Sequence, residues 1–257
     1  MSQEIVLKEA LIKLINAYRN KIDGFNVDDF LKTGVDPFRF TVNVSIWGLT
    51  LAVRKEIEHK VEMALENLIG DFHEDYLGNA THLPTNTNWE KVPEGSIPGI
   101  DIANKDNEVY FQIKSKHNSM NSSSSKKLAE ELEETSQLYP NAEVGCLWVV
   151  ATQSRKAIGE NKVAEVASCY KGNKSYEVVT GTDGELNSVL SQTLTSIPGI
   201  LKNIDFGTYK NEANKDIKKD FPKILDDAAQ RVTRSLIEMA KESGTSEIEI
   251  ITNNSIS

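Results

Sequence analysis

Cysteine is scarce in this chain: Cys146 and Cys169 are the only two. Two isolated thiols cannot build a disulfide framework or a thiolate zinc site, and Cys146, inside the apolar run VGCLWVVA, reads as a buried thiol. The four histidines, His59, His73, His82 and His117, fall at no metal-ligand spacing. No stretch approaches the roughly 20 apolar residues of a membrane span. The opening residues, MSQEIVLKEALIKLINAYRNK, mix acids and bases along an amphipathic pattern. They show no basic n-region, apolar h-region or small-residue cleavage site, so the expected location is the cytoplasm. A basic excess is also missing: 29 Lys and Arg against 38 Asp and Glu give a net charge of −9. That balance argues against nonspecific coating of nucleic acid, yet it leaves room for a basic cleft beneath an acidic exterior. Internal repeats and interdomain linkers are absent, so residues 1–257 read as a single domain.

What is present is the composition of a globular protein with a substantial core: 39% apolar and 26% charged residues over 257 positions. Apolar spacing predicts a helix over 3–22, with Ile5, Leu7, Leu11, Leu14, Ile15 and Tyr18 on one face, and a short one over Val27–Lys32. Asp36-Pro37 opens a segment leading to a turn near Asn43. A long helix is expected over Ser45–Ile69, stopped by Gly70. Residues 78–96, rich in Asn, Thr, Pro and Gly, read as a loop. A hairpin follows, with strands at 99–103 and 108–116 around the turn Asn104–Asn107. Then come a helix over Lys126–Leu138, a buried strand over Ala142–Thr152, a helix over Lys156–Ala167, a strand over Ser175–Thr180 and a helix over Gly184–Ser196. A C-terminal helix spans Phe221–Ser243, before a frayed tail from Thr252. This order indicates an α/β protein with one central mixed sheet flanked by helices. Trp47, Trp89 and Trp148 read as core or loop packing.

The chemistry concentrates in residues 97–118, IPGIDIANKDNEVYFQIKSKHN. Asp101 sits on the first strand of the hairpin, and Gln112-Ile113-Lys114 on the second. Alternation along the second strand puts Val109, Phe111 and Ile113 on the core face, and Glu108, Tyr110, Gln112, Lys114 and Lys116 on a face toward a cleft. A carboxylate beside a backbone carbonyl and a lysine suits a hard divalent cation and a phosphate. An Asp and a Lys across a hairpin are also common surface decoration. Two lysines, a histidine and an asparagine in succession where the strand leaves the core suit an anion; the plain alternative is a solvated strand end.

Pro98-Gly-Ile-Asp101 with Gln112-Ile-Lys114 resembles the PD-(D/E)xK nuclease signature. The run Gln112-Ile-Lys-Ser-Lys-His-Asn-Ser-Met-Asn-Ser-Ser-Ser124 resembles type II restriction endonucleases, in particular the group that cuts GGNCC-type sites. Asp36-Pro37-Phe38 and Ile69-Gly70-Asp71-Phe72-His73 add to the likeness, which covers residues 36–150. The resemblance implies a restriction-endonuclease-like core and a Mg2+-dependent homodimer that hydrolyses double-stranded DNA at a short palindrome, with a cognate DNA methyltransferase in the same system. Asp101, Gln112 and Lys114 would be catalytic, with Asp101, Gln112 and the Ile113 carbonyl on the metal. Lys116, His117, Asn118, Ser119 and Asn121 would contact DNA, with Arg155, Arg231 and Arg234 as further candidates and Ser122–Ser125 as phosphate contacts or a helix cap. The departure is Gln112, where the signature expects Glu. A compensating carboxylate would come from Glu58, counted among the catalytic candidates, or from Glu108. A repair or structure-specific nuclease on the same scaffold, and a catalytically inactive DNA-binding module, remain open readings of the same residues.

Overall fold

The computed structural model describes residues 3–32, 34–79, 88–116, 122–150, 160–210 and 214–256. Helices α1 (Gln3–Asp23), α2 (Val27–Lys32), α3 (Pro37–Trp47) and α4 (Leu49–Leu77) come first. Strands β1 (Trp89–Lys91), β2 (Ile102–Asn104) and β3 (Val109–Lys116) follow, then α5 (Ser122–Leu138), β4 (Glu143–Val150), α6 (Glu160–Ala164) and β5 (Ser168–Lys171). Helices α7 (Asn173–Thr180) and α8 (Glu185–Asn203), the short strands β6 (Thr208–Lys210) and β7 (Asp216–Lys218), and helices α9 (Phe221–Ser243) and α10 (Glu247–Ile256) complete the chain.

Where the sequence reads as one domain, the contacts gather into two compact units, residues 1–14 with 68–202 and residues 15–67 with 203–257. The first unit holds a five-stranded sheet in the order β1-β2-β3-β4-β5. Its first three strands run antiparallel and β3, β4 and β5 run parallel, which makes the expected mixed sheet. The apolar run that forms β4 sits between β3 and β5, and Cys146, Leu147 and Trp148 on it are fully buried. The second unit packs Phe30, Phe40, Val53 and Ile57 against Ile224, Ala228, Val232 and Leu236 of α9.

Several elements depart from their sequence reading, each for a local reason. Asn43 lies inside α3 rather than at a turn. Asp36 caps that helix by accepting from the N–H groups of Phe38 and Arg39 at 2.9 and 3.1 Å, Pro37 opens it, and the break falls at Gly48 with φ of 78°. Helix α4 begins after that break and does not stop at Gly70. Phe72, His73, Tyr76 and Leu77 continue its buried face for two more turns, so the roughly 1 kcal/mol penalty of a mid-helix glycine is outweighed. Residues 175–180 are helix, not strand: Ser175, Tyr176, Val179 and Thr180 are buried at helical spacing, and Gly181 closes the turn in the left-handed conformation. The paired strand is β5 instead. Ser246 and Glu249 form a reciprocal capping box that starts α10, and the helix runs on through 252–256, where the sequence suggests a frayed tail. On β3 both faces are covered, since Tyr110 and Gln112 are buried along with Phe111 and Ile113. Trp89 and Trp148 are packed inside, whereas Trp47 is half exposed with the Lys55 ammonium 4.4 Å above its ring.

Candidate active site

Asp101 is fixed before its side chain makes any contact. Gly99 turns the chain with φ of +66°, and a Cβ there would lie 2.9 Å from Cβ of Glu131 on α5, so only glycine fits. Thr135 on the same helix donates to the Pro98 carbonyl at 2.7 Å. Asp101 then enters the sheet: its N–H donates to the Phe111 carbonyl at 3.0 Å, and its carbonyl accepts from Val92 at 2.8 Å. The β2–β3 ladder pairs Ile102 with Phe111, which brings the Asp101 side chain to the start of the Gln112-Ile113-Lys114 triplet. Oδ2 of Asp101 accepts from the Ile113 backbone N–H at 2.7 Å and from the Gln112 side-chain amide. Among the described residues both bonds use that one oxygen, and Gln112 Nε2 also reaches the Ile113 carbonyl at 3.3 Å.

These groups line a cavity of about 630 Å3 whose wall includes Asp71 and Glu74 from α4, Lys91 from β1, Asp101, Gln112 and Lys114, and Lys127 and Glu131 from α5. The structure therefore brings Asp101, Gln112 and Lys114 together. Burial, with the Glu74 charge adding to it, pushes the Asp101 carboxyl up to about 6, against the opposing pull of the Ile113 N–H, Lys114 and Lys91. Among the described residues no group of three or more His, Cys, Asp or Glu is arranged as a metal cluster. The oxygens at hand are the Asp101 and Glu74 carboxylates on the cavity wall and the Ile113 carbonyl; Gln112 faces Asp101 and that carbonyl with its N–H, so its amide must turn over to offer an oxygen. Such a set suits a hard divalent cation that keeps waters and takes substrate phosphates as its remaining ligands.

Glu74 was not singled out by the sequence reading, because Gly70 looked like the end of its helix. The signal was the apolar spacing of Phe72, Tyr76 and Leu77 beyond that glycine. Two buried tethers hold this last stretch of α4. His73 Nδ1 and the Tyr176 hydroxyl lie 2.7 Å apart, and the Tyr76 hydroxyl donates to Glu185 Oε1 at 2.7 Å. Lys91, also unforeseen, bonds Glu74 at 2.9 Å and Asp75 at 3.0 Å.

Glu58 belongs to the second unit, 3.2 Å from Arg54, and lines a different pocket with Tyr18 and Phe221. It is not part of the Asp101 cavity, and neither is Glu108, which ends the 3-10 turn Lys105–Asn107 in a left-handed conformation. Both bear on a compensating carboxylate; the acids that line the Asp101 cavity are Asp71, Glu74, Glu94 and Glu131. Arg231 donates to the Asp23 carbonyl and Arg234 to that of Gln230. The Lys116 side chain, His117, Asn118, Ser119, Asn121 and Arg155 lie outside the described residues.

Residues 2–204 match the family model of the Eco47II restriction endonuclease. The type II restriction enzyme Sau96I of Staphylococcus aureus is 25% identical over 193 residues, covering 69% of this chain and 71% of that protein. The five-stranded mixed sheet flanked by helices accords with a restriction-endonuclease-like fold. The chain belongs to the Eco47II restriction endonuclease family and is a type II site-specific deoxyribonuclease.

Proposed function

We propose that the Asp101 cavity is the cleavage site, that its cofactor is Mg2+, and that the substrate is a short palindrome of the GGNCC type in duplex DNA. The observation that carries this reading is the single cavity in which Asp101, fixed by the Ile113 N–H, lies with Lys114, Gln112 and Glu74. A bound divalent ion neutralises the phosphate and lowers the pKa of a water it holds. Asp101, Glu74, the Ile113 carbonyl and the Gln112 amide oxygen are the groups that would hold it. Gln112 adds an oxygen without a charge, so a carboxylate from α4 compensates for the glutamate that Gln112 replaces in the signature.

The protein residues have separate tasks. The Ile113 N–H fixes the Asp101 carboxylate, and the Gly99 turn sets where that carboxylate begins. Lys114 orients the attacking water or steadies charge on the scissile phosphate. Lys116, His117, Asn118, Ser119 and Asn121 follow in the sequence and grip the duplex beside the cut. A homodimer places one such site on each strand of a palindrome, because a twofold protein matches a twofold target. A cognate methyltransferase protects the cell's own sites, and the enzyme acts in the cytoplasm.

Digestion of a sequenced plasmid, with Mg2+ present and with it chelated, tests the proposal. Discrete fragments whose mapped ends share one short palindrome, seen only with Mg2+, are expected. A smear, flap- or junction-dependent cutting, or cleavage that survives chelation contradicts it.

A further inference from the structure

Lys91 belongs to no signature motif, yet it stands in the middle of the electrostatics. It ends β1, paired with Ile102, and its neighbour Val92 donates to the carbonyl of Asp101. Its ammonium reaches Glu74 Oε2 at 2.9 Å and Asp75 Oδ1 at 3.0 Å. The two acids are not equivalent. Asp75 has a second cation of its own in Lys13, bound through Oδ2. Glu74 lines the Asp101 cavity and, among the described ion pairs, has Lys91 alone.

We propose that Lys91 is a resident counter-cation, neutralising Glu74 in the metal-free protein and competing with the divalent ion for that carboxylate. This rests on the reading of the Asp101 cavity as the metal site. Three observations support it. First, an ammonium already bonded to Glu74 Oε2 occupies the electrons that a metal would take from that oxygen. Second, Lys91 lines the same cavity as Asp101, so a divalent ion arriving there meets a like charge at short range. Third, the Lys91 side chain is 38% exposed, so it can swing from Glu74 into water and gives up only a partly screened ion pair in doing so. Lys13, 68% exposed, continues to hold Asp75 when Lys91 departs.

The competing role, in which Lys91 merely orients Glu74 for the metal, predicts the opposite sign. Mn2+ binding to DNA-free protein, measured by titration calorimetry on wild type, Lys91→Met, Lys91→Gln, Lys91→Arg and Asp101→Ala, separates the two. Lys91→Met removes the charge. Lys91→Gln removes it while keeping an N–H donor for Glu74, which covers the case in which the methionine variant does not fold. Competition predicts Mn2+ binding roughly two- to fivefold tighter in the neutral variants, the scale of a partly exposed ion pair, and near wild type in Lys91→Arg. The Mg2+ concentration for half-maximal cleavage should fall in the same order. Unchanged or weaker binding in folded neutral variants overturns the proposal. If Asp101→Ala abolishes Mn2+ binding while the Lys91 variants match wild type, the metal site stands and only the role of Lys91 fails. No binding by wild type or by the neutral variants overturns both.

Discussion

Gln112 donates its side-chain amide to Oδ2 of Asp101, the same oxygen that accepts the Ile113 backbone N–H at 2.7 Å. A glutamate here would set two carboxylates against each other in a half-buried cavity. Gln112→Glu should therefore destabilise the chelated protein by about 1–3 kcal/mol, roughly 3–8 °C in Tm for a chain of this size. Mg2+ should restore most of that loss, because the added charge is compensated only when a cation binds. Thermal melts with chelator and with Mg2+ check this; equal shifts in both conditions contradict it.

Asp101 titrates near 6 because burial and Glu74 disfavour its charged form. A folded-state value above the unfolded one means that the contribution of this group to stability is complete at low pH and is lost as pH rises through about 6. Metal binding runs the other way, since it needs the carboxylate. Mn2+ affinity should be constant well above pH 6 and fall about tenfold per unit below it. Glu74→Gln should move that midpoint to lower pH while weakening binding in the plateau. A midpoint that does not move separates Glu74 from Asp101.

His73 carries the opposite sign. Burial holds its imidazole down, from 6.5 to about 4, and among the described residues its Nε2 finds no partner. The neutral ring is the folded form, so its contribution is complete above pH 6.5 and is lost as pH falls toward 4. Urea midpoints should decline through that window in wild type and decline less in His73→Gln. Parallel declines rule out this histidine as the source.

Gly99 fixes the turn before Asp101. Gly99→Ala adds a Cβ at 2.9 Å from Glu131 in a backbone region with φ of +66°. The expected cost is about 1–3 kcal/mol, with kcat reduced by up to roughly 100-fold as Asp101 shifts. Chemical denaturation and single-turnover kinetics on one preparation measure both; a stable variant with full kcat shows that the turn does not position the carboxylate.

Much of this was legible in the residues. The Phe221–Ser243 helix, the buried strand through Cys146 and the hairpin carrying Asp101 and Lys114 follow from period and turn chemistry alone. Helix α7 did not: its Val-Val-Thr run carries strand-forming residues, and only burial at helical spacing reverses the reading. The site was half visible. Asp101, Gln112 and Lys114 are close in sequence and joined by one ladder, so a local pattern finds them. Glu74 and Lys91 reach the cavity from α4 and β1, and neither belongs to a local pattern that marks it. Gly70 hid the first, and nothing in the Trp-Glu-Lys strand distinguishes the second from a surface lysine.

The central claim is that Asp101 and Lys114 serve one cleavage site. The most direct test is single-turnover cleavage by Lys114→Ala, with duplex affinity measured in parallel with Ca2+ in place of Mg2+. The expected result is a rate lower by roughly 100- to 1,000-fold with duplex binding near wild type. Cutting at the wild-type rate, or a loss of rate matched by an equal loss of binding, would contradict it.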